Sequence, residues 1–156
     1  MPNDPHIYRQ YAYLSIKGYG PSESITKIIG IQPDEDWSEG DSWERECVPA
    51  GTLRNFTSWR LNSGLAETED LNEHIRTLLV RLIRKRKSIL SLQTDYSVKV
   101  VCVSFNLQAF SFELDFELQK ELVQLGLRIW FDAYFNQDPH ELISDLKQQL
   151  ADKKQP

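Results

Sequence analysis

The chain has 156 residues, of which 40% are hydrophobic and 26% charged, and its formal net charge is −5. This length is suited to one domain with its own core, and the composition is typical of a globular protein. The acidic balance argues against a nucleic-acid-binding protein, because such proteins usually present a basic surface. No run of about 18 apolar residues exists, so the sequence predicts no membrane-spanning helix.

The cysteines bear on the cellular compartment. Cys47 and Cys102 are the two cysteines of the chain. Residues Met1 to His6 are polar and lack the apolar segment of a secretory signal. Two thiols without such a signal are typical of a reduced, unbridged pair. We therefore expect a cytoplasmic protein.

Four segments have the alternating or β-branched patterns of strands. They are Tyr11–Lys17, Leu53–Asn62, Tyr96–Phe105 and Leu127–Phe135, and Trp43–Cys47 is a weaker candidate for an additional edge strand. In Tyr11–Lys17, aliphatic residues alternate with polar and aromatic ones, which predicts one buried face. The Val-rich centre of Tyr96–Phe105 instead predicts a strand that is buried on much of both faces.

The longest helical pattern covers Thr68–Leu92. Apolar residues line one stripe of it at three- and four-residue spacing: Leu71, Ile75, Leu78, Leu79, Leu82 and Ile83. The basic cluster that follows strains a continuous helix, so Ser88–Leu92 is predicted to form a second short one. Shorter helices are predicted over Ser22–Ile29, from Asp115 to Leu125, and over residues 139–151.

Mixed strands and helices with short connections favour an α+β two-layer sandwich. We expect one mainly antiparallel sheet of four or five strands, backed by the long helix. The chain shows no linker, so it is predicted to be a single domain of residues 1–156, with a core over 11–135 and an appended C-terminal helix over 139–151. If that helix docks on the sheet face opposite the long helix, it covers Trp130 and Tyr134.

Short stretches spread over residues 11–135 carry a family resemblance. They are Tyr19-Gly20-Pro21, Ile25-Thr26, Ile29-Gly30-Ile31, Pro33, Gly40-Asp41, Trp59-Arg60-Leu61, Ser63-Gly64, Leu71, His74-Ile75, Leu125-Gly126-Leu127 and Asp132-Ala133-Tyr134-Phe135. In order and spacing they resemble a bacterial family catalogued as domain of unknown function 4279. Two departures are Leu107 to Phe112, where the family often has a Gly-rich turn, and the helix after Pro139. The resemblance implies a compact α+β bacterial domain and brings no established activity or catalytic residues.

The sequence lacks the common catalytic and metal-binding motifs. It contains no G-x-S-x-G, Walker-type lysine loop, H-E-x-x-H or C-x-x-C. His6, His74 and His140 lie far apart, and none has another histidine at metal-ligand spacing. His74 is better explained as a boundary residue of the long helix, and Cys102 as a small core residue. We therefore expect no catalytic residues, no metal and no cofactor, that is, a non-enzymatic protein.

The segment Asp34–Glu46, which we call the acidic loop, is the first candidate site. It carries seven acids against Arg45 alone, with two tryptophans among them. An acidic surface steers onto a basic partner, and tryptophans are favoured interface anchors, so a docking surface for a basic protein such as a toxin is predicted, as in an immunity-type protein. The predicted contact residues are Asp34, Glu35, Asp36, Trp37, Glu39, Asp41 and Trp43. The other interpretation is that both rings fold back and pin the loop to the core.

The second candidate is a small-ligand or sensor site on one face of the sheet. Its residues are Tyr13, Arg60, Trp130, Asp132 and Tyr134. Asp132 is the best candidate for a functional carboxylate, because it shares a strand face with two aromatic rings, where burial raises a carboxyl pKa. The alternative is that Asp132 pairs with Arg60 or Lys17 across the sheet. An enzyme whose motif is not recognisable is the remaining class.

Overall fold

The computed structural model describes residues 7–106, 109–135, 144 and 147–148. The strands in this part of the chain are β1 (Ile7–Gly18), β2 (Glu35–Trp37), β3 (Thr57–Asn62), β4 (Ser97–Asn106) and β5 (Arg128–Phe135). The helices are α1 (Ser22–Ile29), α2 (Leu71–Leu82), α3 (Arg86–Leu92) and α4 (Phe116–Gln124). A 3₁₀ turn over Ile83–Lys85 joins α2 to α3.

The strands form one open sheet in the order β2-β3-β1-β4-β5. All neighbouring pairs are antiparallel except β4 and β5, which run parallel. This exception follows from the chain path, because α4 lies between β4 and β5 in sequence and provides the crossover that parallel neighbours need. The predicted α+β fold with a mainly antiparallel sheet is confirmed.

The predicted edge strand over Trp43–Cys47 is wrong, and the edge is formed by β2 instead. Glu35 and Trp37 of β2 pair with β3 opposite Arg60 and Ser58. The start of the predicted strand Leu53–Asn62 is also wrong, because β3 begins at Thr57. Residues 53–56 precede it, and the backbone at 52–54 pairs with residues 40–43 of the acidic loop, as in the hydrogen bond from Trp43 N to Thr52 O (2.9 Å).

The core lies between the sheet and the helices α1 to α4. The stripe predicted on the long helix is buried on α2, and Leu78 is 0% exposed. Ile83 was predicted on the same stripe and is 39% exposed, because the helix ends at Leu82 and the 3₁₀ turn rotates the next residue outward. Trp59 is fully buried at the centre of the core, and its indole N–H donates to Thr26 Oγ1 of α1 (3.0 Å).

The helix predicted over residues 139–151 lies outside the described residues, apart from positions 144, 147 and 148. Its predicted docking on the sheet lies outside them too. Among the helices that are described, none is both long enough and apolar enough to cross a membrane.

Candidate functional site

The strands turn alternate side chains away from the helices and so create a second sheet face. Even-numbered residues of β1 and β4 enter the core, and the odd-numbered residues therefore point to the other side. We call this second side the open face, because α1 to α4 all pack on the core side. Its large side chains include those of Arg9, Tyr11, Tyr13, Lys17, Arg60, Lys99, Phe105, Arg128, Trp130, Asp132 and Tyr134.

The five residues of the predicted ligand site all lie on the open face, in two groups. At one end, the Arg60 guanidinium carbon lies 3.7 Å from the centroid of the Tyr13 ring. Burial raises the pKa of Tyr13, although the neighbouring Arg60 acts in the opposite direction. On β5, the Trp130 indole N–H donates to Asp132 Oδ1 (2.7 Å), and Tyr134 is half exposed.

The expected pairing of Asp132 with Arg60 or Lys17 is wrong. Asp132 accepts from Trp130 of its own strand. Arg60 lies on β3, three strand spacings or about 14 Å from β5, which is too far for an ion pair. Lys17 lies at the far end of β1, where its ammonium is 5.3 Å from the Phe56 ring centroid.

Cations and rings are paired throughout the open face. Arg9 lies 4.2 Å from the Phe105 ring centroid, and Lys99 lies 4.2 Å from that of Trp130. Phe105 in turn stacks on Tyr134, with ring centroids 5.0 Å apart and planes 17° apart. Such contacts are electrostatically favourable within about 6 Å. The open face is therefore basic and aromatic, although the chain as a whole is acidic.

Sequence analysis missed four members of this face: Arg9, Tyr11, Lys99 and Phe105. Tyr11 is the first residue of the predicted strand, and the alternation of β1 continues two residues further towards the N-terminus, to Arg9. Lys99 and Phe105 flank Val101 and Val103, which are buried on this side of the sheet. Those valines produced the expectation of a strand buried on both faces and hid the two outward residues.

Four of the seven carboxylates of the acidic loop are exposed and accept a hydrogen bond. Asp36 Oδ2 accepts from Ser22 Oγ at the start of α1 (2.6 Å). Asp34 Oδ2 accepts from Asn62 N (2.7 Å), and Asp41 Oδ2 from Ser38 N (2.7 Å). Glu39 Oε2 accepts more weakly from Gly20 N (3.4 Å). Charge-assisted bonds of this kind fix the position of the negative charge without burying it.

The two tryptophans of the acidic loop turn inward. The Arg54 guanidinium carbon lies 4.2 Å from the Trp37 ring centroid and 4.6 Å from that of Trp43. Trp37 also packs edge-on against Phe56 (5.8 Å). Both indole nitrogens are buried and have no hydrogen-bond partner among the described residues. The second interpretation, that both rings pin the loop to the core, is correct only in that the rings fold back: they pack on Arg54 and Phe56, and neither ring belongs to the core cluster.

The two candidate sites are contiguous. Strand β2 places Glu35 on the same side of the sheet as Arg60, its partner in the register. Glu35 Oε2 lies 4.0 Å from Arg60 Nη1, and the Glu35 side chain remains 56% exposed. The acidic loop therefore forms one border of the open face.

His74 is fully buried. The prediction that it lies at the boundary between the buried and exposed faces of the long helix is therefore wrong. His74 Nδ1 lies 2.6 Å from Ser63 Oγ, which also accepts from Leu65 N (3.3 Å). Burial lowers the pKa of His74, and Nε2 has no hydrogen-bond partner in the described part of the chain. No group of three His, Cys, Asp or Glu residues suited to a metal ion occurs among the described residues.

Comparison with protein families identifies the domain type. A family model described as a domain of unknown function, DUF4279, matches residues 6–136, which is most of the chain. The chain belongs to the DUF4279 family. The resemblance seen in the sequence is thereby confirmed. Comparisons with curated proteins and with solved structures found no match. The segment matched to DUF4279 contains all five described strands, and so includes both the open face and the acidic loop.

Proposed function

We propose that this DUF4279 domain is a non-catalytic binding domain, which holds a small, flat, negatively charged molecule on the open face of its sheet. The observation that carries the proposal is the pairing of rings with cations there. Trp130 is 53% and Tyr134 50% exposed, and Lys99 lies over the Trp130 ring. Large exposed aromatic side chains within a polar frame are typical of binding sites.

Charge supports an anionic ligand over a neutral one. Arg9, Arg60 and Lys99 are cations of the open face, and Asp132 and Glu35 are its acids. With Lys17 and Arg128 on the same face, the cations of these strands outnumber the acids five to two, so the face has a net positive charge. A flat anion gains both ring stacking and charge complementarity at such a surface.

A matched set of ring compounds tests this proposal: phenyl phosphate, benzoate and benzyl alcohol. We expect the two anions to shift the Trp130 indole and β5 amide resonances saturably in an NMR titration, and the neutral alcohol to shift them much less. Trp130→Ala should weaken binding of the anions. Val123→Ala, an exposed position on α4, is the control. Equal shifts from all three compounds, or no shift on β5, would contradict the proposal.

A second function, docking of a basic protein on the acidic loop, is favoured by the hydrogen-bonded carboxylates. Asp34, Asp36 and Asp41 are exposed yet fixed, which offers a preorganised negative field to a basic partner. We propose this as the docking surface of an immunity-type protein of the bacterial cytoplasm, with a toxin as partner. In this proposal Trp37 and Trp43 hold the loop in place through their contacts with Arg54 and do not serve as anchors for the partner.

Charge reversal away from the hydrogen-bonded acids tests the second function. Glu44→Lys with Glu46→Lys should slow association with a basic protein captured from the native bacterium, because surface charges act mainly on the on-rate. The matched control is Glu113→Lys with Glu117→Lys near the start of α4. The effect should shrink as salt rises, since screening acts beyond about 8 Å at physiological ionic strength. Equal association rates for both double variants would contradict this function.

A further inference from the structure

We propose that a cavity at one end of the open face, between Arg9 and Arg60, binds the phosphate group of a mononucleotide. This inference rests on the proposed ligand-binding function and names the class of ligand. The cavity measures about 330 Å³, and its walls include Arg9, Tyr11, Arg60, Asn62, Gly64 and the acid Glu67. Asn62 and Gly64 come from the end of β3 and the residues that follow it, so the cavity lies at the edge of the open face.

Arg9 Nε is paired only loosely: it forms an ion pair with Glu67, and the Arg9 side chain is 40% exposed. The Nε atom is buried and makes no hydrogen bond with any described residue. Glu67 Oε2 lies 3.5 Å away, and the Glu67 side chain is half exposed. A phosphate group in the cavity would contact the exposed part of the Arg9 side chain and add a second anionic partner to Glu67.

Arg60 is held with part of its guanidinium free. Its Nε donates to Asn62 Oδ1 (2.7 Å), and its plane lies against Tyr13. Nη1 has only the distant contact with Glu35 at 4.0 Å. The Nη groups are therefore left for a ligand, and a guanidinium fork matches the geometry of phosphate oxygens.

Arg9 and Arg60 both line this cavity, together with Tyr11. The guanidinium carbons of Arg9 and Arg60 lie 5.8 Å and 5.7 Å from the centroid of the Tyr11 ring, which is part of the cavity wall. A phosphate monoester carries about −1.5 to −2 charges at neutral pH, whereas a carboxylate carries one. Two cations against the half-exposed Glu67 suit the phosphate better than the carboxylate.

The rings next to Arg9 define the rest of the ligand. Arg9, Phe105 and Tyr134 are register partners across β1, β4 and β5, and they stack in this order. Tyr134 is half exposed and lies two strand spacings, about 10 Å, from Arg9. A mononucleotide spans this separation, with its phosphate in the cavity and its base on the half-exposed ring. Inorganic phosphate fills only the cavity.

Calorimetric titration of the full chain with adenosine 5′-monophosphate, adenosine and inorganic phosphate tests the inference. We expect the monophosphate to bind at least tenfold more tightly than adenosine. Arg9→Gln should abolish this preference and leave adenosine binding unchanged, whereas Tyr134→Ala should weaken both. Arg128→Gln, an exposed cation of β5 outside the cavity wall, should change the preference less than twofold.

If Arg9→Gln does not fold, a second variant tests the same inference. Asn62→Asp keeps the acceptor for Arg60 Nε, places a negative charge in the cavity wall, and should also remove the preference for the monophosphate. Equal affinity for the monophosphate and adenosine, or no binding of the monophosphate, overturns the inference. Tighter binding of a single-stranded oligonucleotide than of the monophosphate also overturns it and assigns the face to a polynucleotide. The proposed binding of flat anions on the open face is tested separately, and it fails if phenyl phosphate and benzoate leave the β5 resonances unchanged.

Discussion

His74 couples the stability of this domain to pH. Its ring is fully buried. Burial lowers the pKa of His74 in the folded protein below its value of about 6.5 in the unfolded chain. Between these two values the unfolded chain binds more protons than the folded chain. The free energy of unfolding should therefore fall as pH drops through about 6.5, by at most about 1.4 kcal/mol per pH unit.

Substitution of His74 isolates this contribution. Urea unfolding at pH 7.5, 6.5 and 5.5 should show a steeper loss of stability in the wild type than in His74→Gln, whose side chain does not titrate. The comparison concerns the slopes, because the glutamine also changes the contact with Ser63 Oγ and lowers stability at every pH. Parallel slopes for the two proteins would show that His74 does not titrate between these values.

The two thiols should differ strongly in reactivity. Cys47 is exposed, whereas Cys102 is buried on the core side of β4, and burial raises its pKa to about 12. The thiolate is the reacting form, so at pH 8 only about one Cys102 in 10,000 carries it. With a chromogenic disulfide we expect one thiol to react fast in the native protein and the second only in denaturant. Cys47→Ser should remove the fast reaction, and a fast reaction that persists in this variant would contradict the burial of Cys102.

Arg54 shows how one residue determines the orientation of two rings. The backbone pairing of residues 40–43 with 52–54 brings Arg54 beside Trp37 and Trp43, where its guanidinium contacts both. A cation is attracted to the face of each ring, and the inward orientation follows. Nothing in the local sequence pattern predicts this contact, because it depends on a pairing across the loop.

At the scale of elements, helix α2 is held by its buried stripe. Leu78→Ala should cost about 2–5 kcal/mol of unfolding free energy, because the leucine is fully buried between α2 and the sheet and a cavity remains. Val80→Ala on the same helix is the matched control. Val80 is 67% exposed, and alanine favours helix more than valine does, so stability should stay constant or rise slightly. Denaturant titration measures both, and equal losses would mean that the stripe is misplaced.

Strand β2 is the element that a sequence pattern identifies least well. It has three residues, two of them acidic, and acidic residues are depleted in strands. Its place at the sheet edge depends on its pairing with β3. Next to this pairing, Asp34 N donates a hydrogen bond to Arg60 O of β3 (2.9 Å). The acidic loop is thereby attached to the border of the open face.

The whole molecule should unfold in one step. One cluster of buried or partly buried residues joins four strands and four helices: β1, β3, β4, β5 and α1 to α4. These described elements therefore share a single core. We expect urea transitions followed by tryptophan fluorescence and by far-UV circular dichroism to coincide, as in two-state domains. Trp59 at the centre of the cluster reports on the core. Separate midpoints would contradict a single domain.

The distribution of charge is also a property of the whole molecule. The chain carries a net charge of −5, yet the open face presents Arg9, Arg60 and Lys99. The net charge of the sequence argues against a nucleic-acid partner, whereas the folded sheet concentrates cations on one side. This concentration arises because residues of one parity on β1 and β4, and their register partners on β3 and β5, share a face.

The sequence by itself determined the type and approximate position of most elements, the core stripe of α2 and the family. These features depend on local periodicity, and periodicity is set by the geometry of a single helix or strand. It also determined which residues of β5 share a face, since Trp130, Asp132 and Tyr134 alternate along one strand.

Only the tertiary structure decided the strand order, the packing of the two tryptophans on Arg54 and the placement of Arg9 and Arg60 at one cavity. Arg9 and Arg60 lie on β1 and β3, and register brings them to one cavity with Tyr11. Likewise, Ser63 and His74 meet because α2 packs on β1, the strand to which Ser63 N donates at Ala12 O. Contacts of this kind depend on which strands pair and in what register, and many pairings satisfy the same alternating pattern. Choosing among them requires the packing of the complete chain.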